Sequence, residues 1–263
     1  MTDVSLSERI ARSGLDWIVP QWDAPDNVHA LVTTRNGGVS VQPYATMNVG
    51  VASSGRDRPD AVAQNRARLR AFLPSEPIWL RQVHGATVAG LDGTRSGSLL
   101  VADAAVTRVP GVVCAVLVAD CVPVLLADRG ATVIGIAHAG WRGLAAGVIE
   151  ATIARMQTAP ADIVAWLGPA IGPRAFEVGA DVHAAFGDVD AGACAAFTPL
   201  REGKWHADLY ELARRRLGLA GVHSVAGGGW CTYTDAARFF SYRRDGETGR
   251  MAATIWLEAA SPA

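Results

Sequence analysis

The sequence predicts an α+β protein, a single domain with a mixed β-sheet core layered with helices. Three observations carry that expectation. Runs rich in Val, Ile and Leu recur through the middle of the chain; helical stretches separate only some of them; and short turn signals join others directly, which a strictly alternating βαβ chain would not show. With 263 residues, half of them hydrophobic, the chain can bury a sizeable core as one unit. Residues 1–25 read as an N-terminal extension of a domain spanning 1–263.

Taken in order, "VHALVTT" at 28–34 is a strand that runs into the turn "RNGGVS". "DAVAQNRARLRAFL" has helical spacing with Asp60 as its N-cap. "PIWLRQVHGATVAGLD" reads as strand, tight turn, strand. The runs "GVVCAVLVAD", "PVLLAD" and "ATVIGIAHA" suit strands covered on both faces better than half-solvated ones. A helix follows over 142–156, then a strand at "ADIVAWLG" and a short helix at "GADVHAAFG". "ADLYELARRRLGLAG" is a helix with Asp208 near its start and Gly218 near its end. The tail "RFFSYRRDGETGRMAATIWLE" reads as a hairpin around "RDGETGR". No G-x-G-x-x-G and no Walker A loop occurs, so dinucleotide and P-loop chemistry lack their motifs.

Charge excludes further classes. Lys and Arg number 24 against 25 Asp and Glu, a net charge of -1, so nothing marks a nucleic-acid or anionic-membrane surface. Small molecules are the expected partners, and no feature fixes an oligomeric state. "MTDVSLSERIARSG" puts acidic residues where a signal peptide needs a basic and then an apolar block, and no uncharged apolar run reaches ~18 residues. A soluble, cytoplasmic protein is expected. Cys114, Cys121, Cys194 and Cys231 have no C-x-x-C spacing, which points to free thiols. The 28 glycines exceed the usual ~7% but show no period that would indicate a repeat.

The stretch "VLVADCVPVLLADRGATVIGIAHAGWRG" places Asp120, Cys121 and His138 in the most apolar part of the chain. A hairpin closed at Arg129–Gly130 would set Cys121 directly opposite His138, with Cβ atoms roughly 4.5–5.5 Å apart. That separation suits two ligands of one metal, or a thiolate and its base. Pro123 works against pairing that far, because proline is poorly tolerated inside a central ladder. His84 in "RQVHGATV", beside Gly85 at a strand end, is a third donor. Zinc binds thiolate and imidazole, and three protein ligands leave the fourth tetrahedral position open, as in catalytic sites; copper also accepts this set. A buried cysteine is otherwise a small hydrophobe, so spacing leaves the metal, nucleophile and core readings all open. Asp120 either orients a ligand or accepts a proton, or it caps a turn.

At these residues the sequence resembles the laccase-domain family, once labelled multicopper polyphenol oxidases. Its members are described as purine nucleoside phosphorylase and adenosine deaminase enzymes, and in some bacteria as peptidoglycan editing factors. The resemblance runs through "TTRNGGVS", "PYATMNVG", "RQVHG", "ADAAVT", "VADCVPVLLAD", "AHAGWRGLAAGVIE", "WLGPAIGPRAFEVGADV", "CTYTD" and "FFSYRRDGETGRMAATIWL", about residues 28–257. It implies a cysteine-hydrolase-like layered sandwich, and a catalytic zinc held by the histidine of QVHG, the cysteine of ADC and the histidine of HAGWRG, here His84, Cys121 and His138. It also implies phosphorolysis of adenosine, inosine and methylthioadenosine to base and ribose 1-phosphate, with deamination of adenosine. One departure is "VASSGRDRPD" after "MNVG", where relatives often carry a histidine and a "GDD"-like turn.

Phosphorolysis needs an anion pocket. Backbone N–H groups at the start of the 142–156 helix, with the Arg142 side chain, would put one close to His138; Arg243 and Arg244 are further candidates. No His-x-Glu motif supplies the proton shuttle of other zinc deaminases. His29, His183, His206, His223 and Cys114 read as packing or surface residues, and Cys231 in "GGWCTYTD" as a residue lining the cleft.

Competing readings follow from the same residues. Copper oxidation of phenols would need a blue-copper centre and a trinuclear cluster, more histidines than the six present, and no His-x-His pair exists to build the cluster. A cysteine hydrolase would use Cys121 as nucleophile and His138 or His84 as base; a peptidoglycan-editing activity, removing L-serine from a UDP-MurNAc precursor, would run that way or through zinc. A nucleotide-responsive binding protein is the non-catalytic reading.

Overall fold

The computed structural model describes residues 4–50, 57–91 and 99–258. Ser5 opens the first helix, α1 (Leu6–Arg12), through a capping box: its hydroxyl accepts from the Glu8 N–H while the Glu8 carboxylate reaches back to the Ser5 N–H. Then come β1 (Val28–Val32), α2 (Pro59–Arg70), β2 (Leu80–Arg81), β3 (Val88–Gly90), β4 (Leu100–Val101), β5 (Ala104–Thr107), β6 (Cys114–Val118), β7 (Val122–Asp128) and β8 (Ile134–Ala139). The second half runs α3 (Trp141–Ala145), α4 (Val148–Met156), β9 (Ile163–Leu167), β10 (Glu177–Gly179), α5 (Ala180–Gly187), β11 (Phe197–Arg201), β12 (Lys204–Ala207), α6 (Leu209–Leu219), β13 (Ser224–Gly227), α7 (Tyr242–Asp245) and β14 (Met251–Leu257).

Two sheets form the centre. One has six strands in the order β13-β9-β7-β8-β5-β3, parallel at its two edges and antiparallel within; the other has three antiparallel strands, β1-β14-β6. Side chains alternate across a strand, and β7 displays this plainly. Val122, Val124 and Leu126 face Leu144, Ile149 and Leu212 of α3, α4 and α6, whereas Leu125 and Ala127 face the three-stranded sheet. On β14, Met251, Ala253 and Ile255 point into that inter-sheet layer, while Ala252 and Trp256 point outward onto Ile10 of α1 and Leu69 of α2. The architecture is therefore four layers, helix, sheet, sheet, helix, and both central sheets are covered on both faces. That double cover is why these strands read as continuous apolar runs. Ile10 and Trp17 are buried, and Ile18 bridges Val32, so residues 10–18 pack onto the same body.

Several local expectations are corrected. Arg58, not Asp60, precedes α2, without a side-chain cap, and Asp60 lies in its first turn. The strands β2 and β3 do not pair with each other; each pairs in parallel elsewhere, with β4 and β5. The single helix expected over 142–156 is two, because Gly147 adopts φ +85° between α3 and α4, a conformation open to glycine at little cost. Both ends of α6 fall as expected: Asp208 caps it, accepting from the Tyr210 and Glu211 N–H groups, and Gly218 is its next-to-last residue, with the turn at Gly221, φ +88°. No hairpin forms around "RDGETGR": Ser241 caps the short α7, and β14 pairs with β1 and β6 instead.

The β7–β8 hairpin forms with a longer loop. Ala127 pairs with Ile134 and Pro123 with His138, because the Asp128 carboxylate gathers the Thr132 and Val133 N–H groups and the Thr132 hydroxyl. The register thus differs by two residues from the expected one. A shift of two keeps every side chain on its face, so Cys121 stays on the side of His138, one step beyond the strand. Pro123 is accommodated because β9 begins pairing only at Val124, and the Pro123 carbonyl accepts from Gly168. At the sheet's outer edge, Arg214 of α6 donates to the Val225 and Gly227 carbonyls of β13. Among the described residues no helix is long and apolar enough to cross a membrane.

Burial predicts a sharp contrast in stability. Ile136, 0% exposed between the sheets, should cost about 2–5 kcal/mol on Ile136→Ala. Leu219→Ala, at a residue 65% exposed, should stay within about 0.5 kcal/mol; urea unfolding of both variants measures the difference.

Candidate metal centre

Four segments reach the same end of the six-stranded sheet. There β7 begins and its antiparallel neighbour β8 ends; β5, antiparallel to β8, begins there too, as does β3, parallel to β5. Cys121 therefore sits just before β7, His138 near the end of β8, Asp103 just before β5, and His84 in the turn leading to β3. Two of the linking residues take left-handed backbone conformations, His84 at φ 61° and Asp120 at φ 91°, which are uncommon for residues with a Cβ.

The structure brings His84, Cys121 and His138 together: one ligand atom from each lies within 4.8 Å of the others. The two imidazole centroids are 4.9 Å apart at 69°. His138 is buried, Cys121 half-buried and His84 exposed, so the cluster is closed at its base and open on one side. A tetrahedral zinc with bonds of about 2.0–2.3 Å holds its ligand atoms roughly 3.3–3.8 Å apart, inside the limit within which these three atoms lie. One thiolate and two imidazoles are donors that zinc and copper both accept, so the residues fit a metal. Room for the sulfur comes from Gly140, where an added Cβ would lie 2.6 Å from Cys121 Sγ and 3.4 Å from His84.

The electrostatics of the cluster are mutual. Burial alone would raise the Cys121 thiol, but the His138 charge and hydrogen bonds from His138 and His84 outweigh it and lower its pKa to about 6. Burial would likewise lower His138, but the Cys121 charge and the Asp103 hydrogen bond raise it to about 9. In the metal-free protein the pair is a thiolate and an imidazolium. Asp103 was not among the sequence candidates. It is fully buried, and its carboxylate accepts from His138 Nδ1 at 3.0 Å and from the Val83, His84 and Gly85 N–H groups at 3.1, 2.9 and 2.8 Å. Burial would raise this carboxyl, and those hydrogen bonds hold it below its usual range.

The remaining candidates fall differently. Asp120 accepts from the Thr232 hydroxyl at 2.6 Å and from the Arg243 N–H at 2.7 Å, fastening the β6–β7 crossing to two distant segments. Arg142 is exposed and lies over the Trp141 ring at 4.2 Å, on a helix, α3, of only five residues. Arg243 donates to the Glu177 carbonyl and lies 4.9 Å over Phe176. Arg244 is not a free cation, since it donates to the Thr232, Tyr233 and Phe239 carbonyls and to Asp245. A second residue absent from the sequence candidates, Arg250, donates to the Thr248 and Gly249 carbonyls. Burial lowers its pKa, and the charges of Cys121 and Asp120 oppose that shift. Cys231 accepts from the Gly172 N–H and lines a cleft of about 550 Å³ with Tyr210, Trp230 and Arg214, which none of the three clustered residues lines. The divergent "VASSGR" at 51–56 lies outside the described residues.

Comparison with known proteins agrees with the motif pattern. The family described as "Multi-copper polyphenol oxidoreductase laccase" matches residues 29–258. The chain belongs to that family. Among its relatives, "Purine nucleoside phosphorylase YfiH" of Escherichia coli K12 is 55% identical over 243 residues, covering 91% of this chain and 98% of that protein. "Purine nucleoside phosphorylase PA4543" of Pseudomonas aeruginosa is 51% identical over 243 residues, 92% and 98% of the two chains. The crystal structure of Neisseria meningitidis NMB0706 superimposes with a TM-score of 0.87 at 46% identity over 93% of this chain and all of that one. YlmD of Geobacillus stearothermophilus gives 0.79 at 33% identity, covering 89% and 93%. The α+β fold is thus that of known members of the laccase-domain family.

Two measurements follow. In metal-free protein, peptide-resolved alkylation of Cys121 should rise with pH to half its maximum near 6, instead of near the ~8.5 of a free thiol, and His138→Ala should move that midpoint upward. Gly140→Ala, whose backbone suits alanine but whose Cβ meets the sulfur, should weaken metal retention while leaving the fold intact by circular dichroism.

Proposed function

We propose that the protein is a zinc-dependent purine nucleoside phosphorylase of the cytoplasm, acting on adenosine, inosine and methylthioadenosine, with adenosine deaminase activity at the same centre. The observation that carries the reading is the His84–Cys121–His138 cluster, open on one side, in a chain whose relatives over nine-tenths of its length are named purine nucleoside phosphorylases. When bound, zinc supplies a Lewis acid that works at neutral pH.

The chain's own residues supply the rest. Phosphorolysis breaks the bond between the sugar C1′ and the base nitrogen and forms one from C1′ to a phosphate oxygen, so an anion has to be held at the mouth. Arg142 and Arg243, both exposed, are the cations assigned that task in this reading, and Arg250 adds a half-buried positive charge that interacts with Cys121 and Asp120. The exposed His84 edge is the side from which a nucleoside can approach, while His138 is buried. Because a carboxylate only accepts, the Nδ1 proton of His138 is committed to Asp103, which leaves Nε2 as the ring nitrogen for a ligand.

The test is an incubation of purified protein with each nucleoside, with and without phosphate, followed by chromatography for free base and ribose 1-phosphate, beside elemental analysis for zinc. Cys121→Ala should lose zinc and slow turnover by about 10²-fold or more, the scale of several kcal/mol of Lewis-acid stabilisation. Equal turnover by wild type and variant would overturn the proposal. Full activity in metal-free wild type, lost in Cys121→Ala, would point to the cysteine acting as nucleophile.

A further inference from the structure

Two of the three clustered donors come from segments that the sequence separates widely, and one carboxylate touches both. Asp103 Oδ1 accepts from the His84 N–H and from His138 Nδ1; Oδ2 accepts from the Val83 and Gly85 N–H groups. A carboxylate offers about four lone-pair sites, and here each has a donor. The main chain of the same residue completes the grip. Its carbonyl accepts from the His138 N–H at 2.7 Å, and its N–H donates to the Thr87 carbonyl at 3.0 Å, beyond the turn that carries His84.

This fit is more than a capped turn requires. The three consecutive N–H groups of residues 83–85 converge on the carboxylate only while His84 keeps its left-handed φ of 61°, the backbone conformation from which its ring meets that of His138. The imidazole of His138 in turn is held at both its backbone and its ring. We propose that Asp103 is the positioning residue of the metal centre, fixing the His138 ring and the His84 backbone in their ligating orientation before any metal arrives. The proposal rests on reading the cluster as a metal centre and is independent of the nucleoside reaction. Such carboxylate partners of ligating histidines carry roughly 10–100-fold of metal affinity in general, and Asp103 acts on two ligands at once.

The test uses full-length protein stripped of metal and titrated with zinc against a competing chelator. Wild type is read first: failure to bind one zinc per chain would defeat the metal-centre reading itself. Given that binding, Asp103→Asn, which keeps the size but replaces an acceptor with a donor, should raise the zinc dissociation constant about 10–100-fold and shrink the rise in melting temperature that zinc produces. A purely structural Asp103 would instead lower the melting temperature of the metal-free and zinc-loaded forms equally and leave the dissociation constant unchanged; that outcome overturns the proposal. Should Asp103→Asn fail to fold, the same titration is read on Asp103→Glu, which keeps the charge but displaces it. With cobalt(II) in place of zinc, the thiolate-to-metal absorption band in that variant should shift or weaken; an unchanged band and affinity would sink the inference.

Discussion

Everything at the centre depends on two sheets pressed together face to face, each also covered on its outer face by helices. A chain that builds both sheets has to cross between them, and the crossing residues lie outside either ladder. Ala119, Asp120 and Cys121 make one such crossing, from β6 to β7. The residues there bend sharply, and Asp120 is tied at its side chain to Thr232 and to the backbone of Arg243. The site is thus a by-product of topology: the reversals at one end of the sandwich place a sulfur and two imidazoles side by side, with buried strands behind them that resist displacement.

Much of this could be read from residues alone, for reasons that differ element by element. The runs at 114–118, 122–128 and 134–139 were legible as interior strands because double cover writes itself as unbroken apolar sequence. Cys121 and His138 were placed on one side of the sheet despite a register two residues away from the true one, since the pleat repeats every two residues. What misled the register was Asp128, whose carboxylate can fold four loop residues around itself, an effect invisible to pattern reading. Gly147 broke a helix that periodicity ran straight through, and "RDGETGR" carried turn chemistry while its neighbours went to partners far away in sequence. Asp103 stayed hidden for a similar reason. An aspartate at the head of "ADAAVT" looks like an ordinary strand start, and only its four donors, gathered from residues 83–85 and 138, reveal its place. Arg250 left one faint trace, a cation immediately ahead of the apolar run "MAATIWL".

The charges in the cluster balance one another. Without a metal, the Cys121 thiolate is balanced by the His138 imidazolium, which is also held by the Asp103 carboxylate. A divalent ion entering there would take over the balancing role from a proton, and its binding would then be coupled to proton release. The protein thereby avoids leaving a buried sulfur anion unpaired at any stage, which would be costly in so apolar a setting. Arg250 adds a positive group that offsets Cys121 and Asp120 on the other flank.

The guanidinium of Arg214 lying along β13 has a consequence beyond this molecule. An outermost strand usually leaves a row of vacant acceptors onto which a strand from a neighbouring copy can zip, the first step toward fibrous polymers. With two of those acceptors already taken by a bulky cation, an approaching strand would have to evict the arginine before gaining a foothold, so growth of the sheet from copy to copy is hindered at that border.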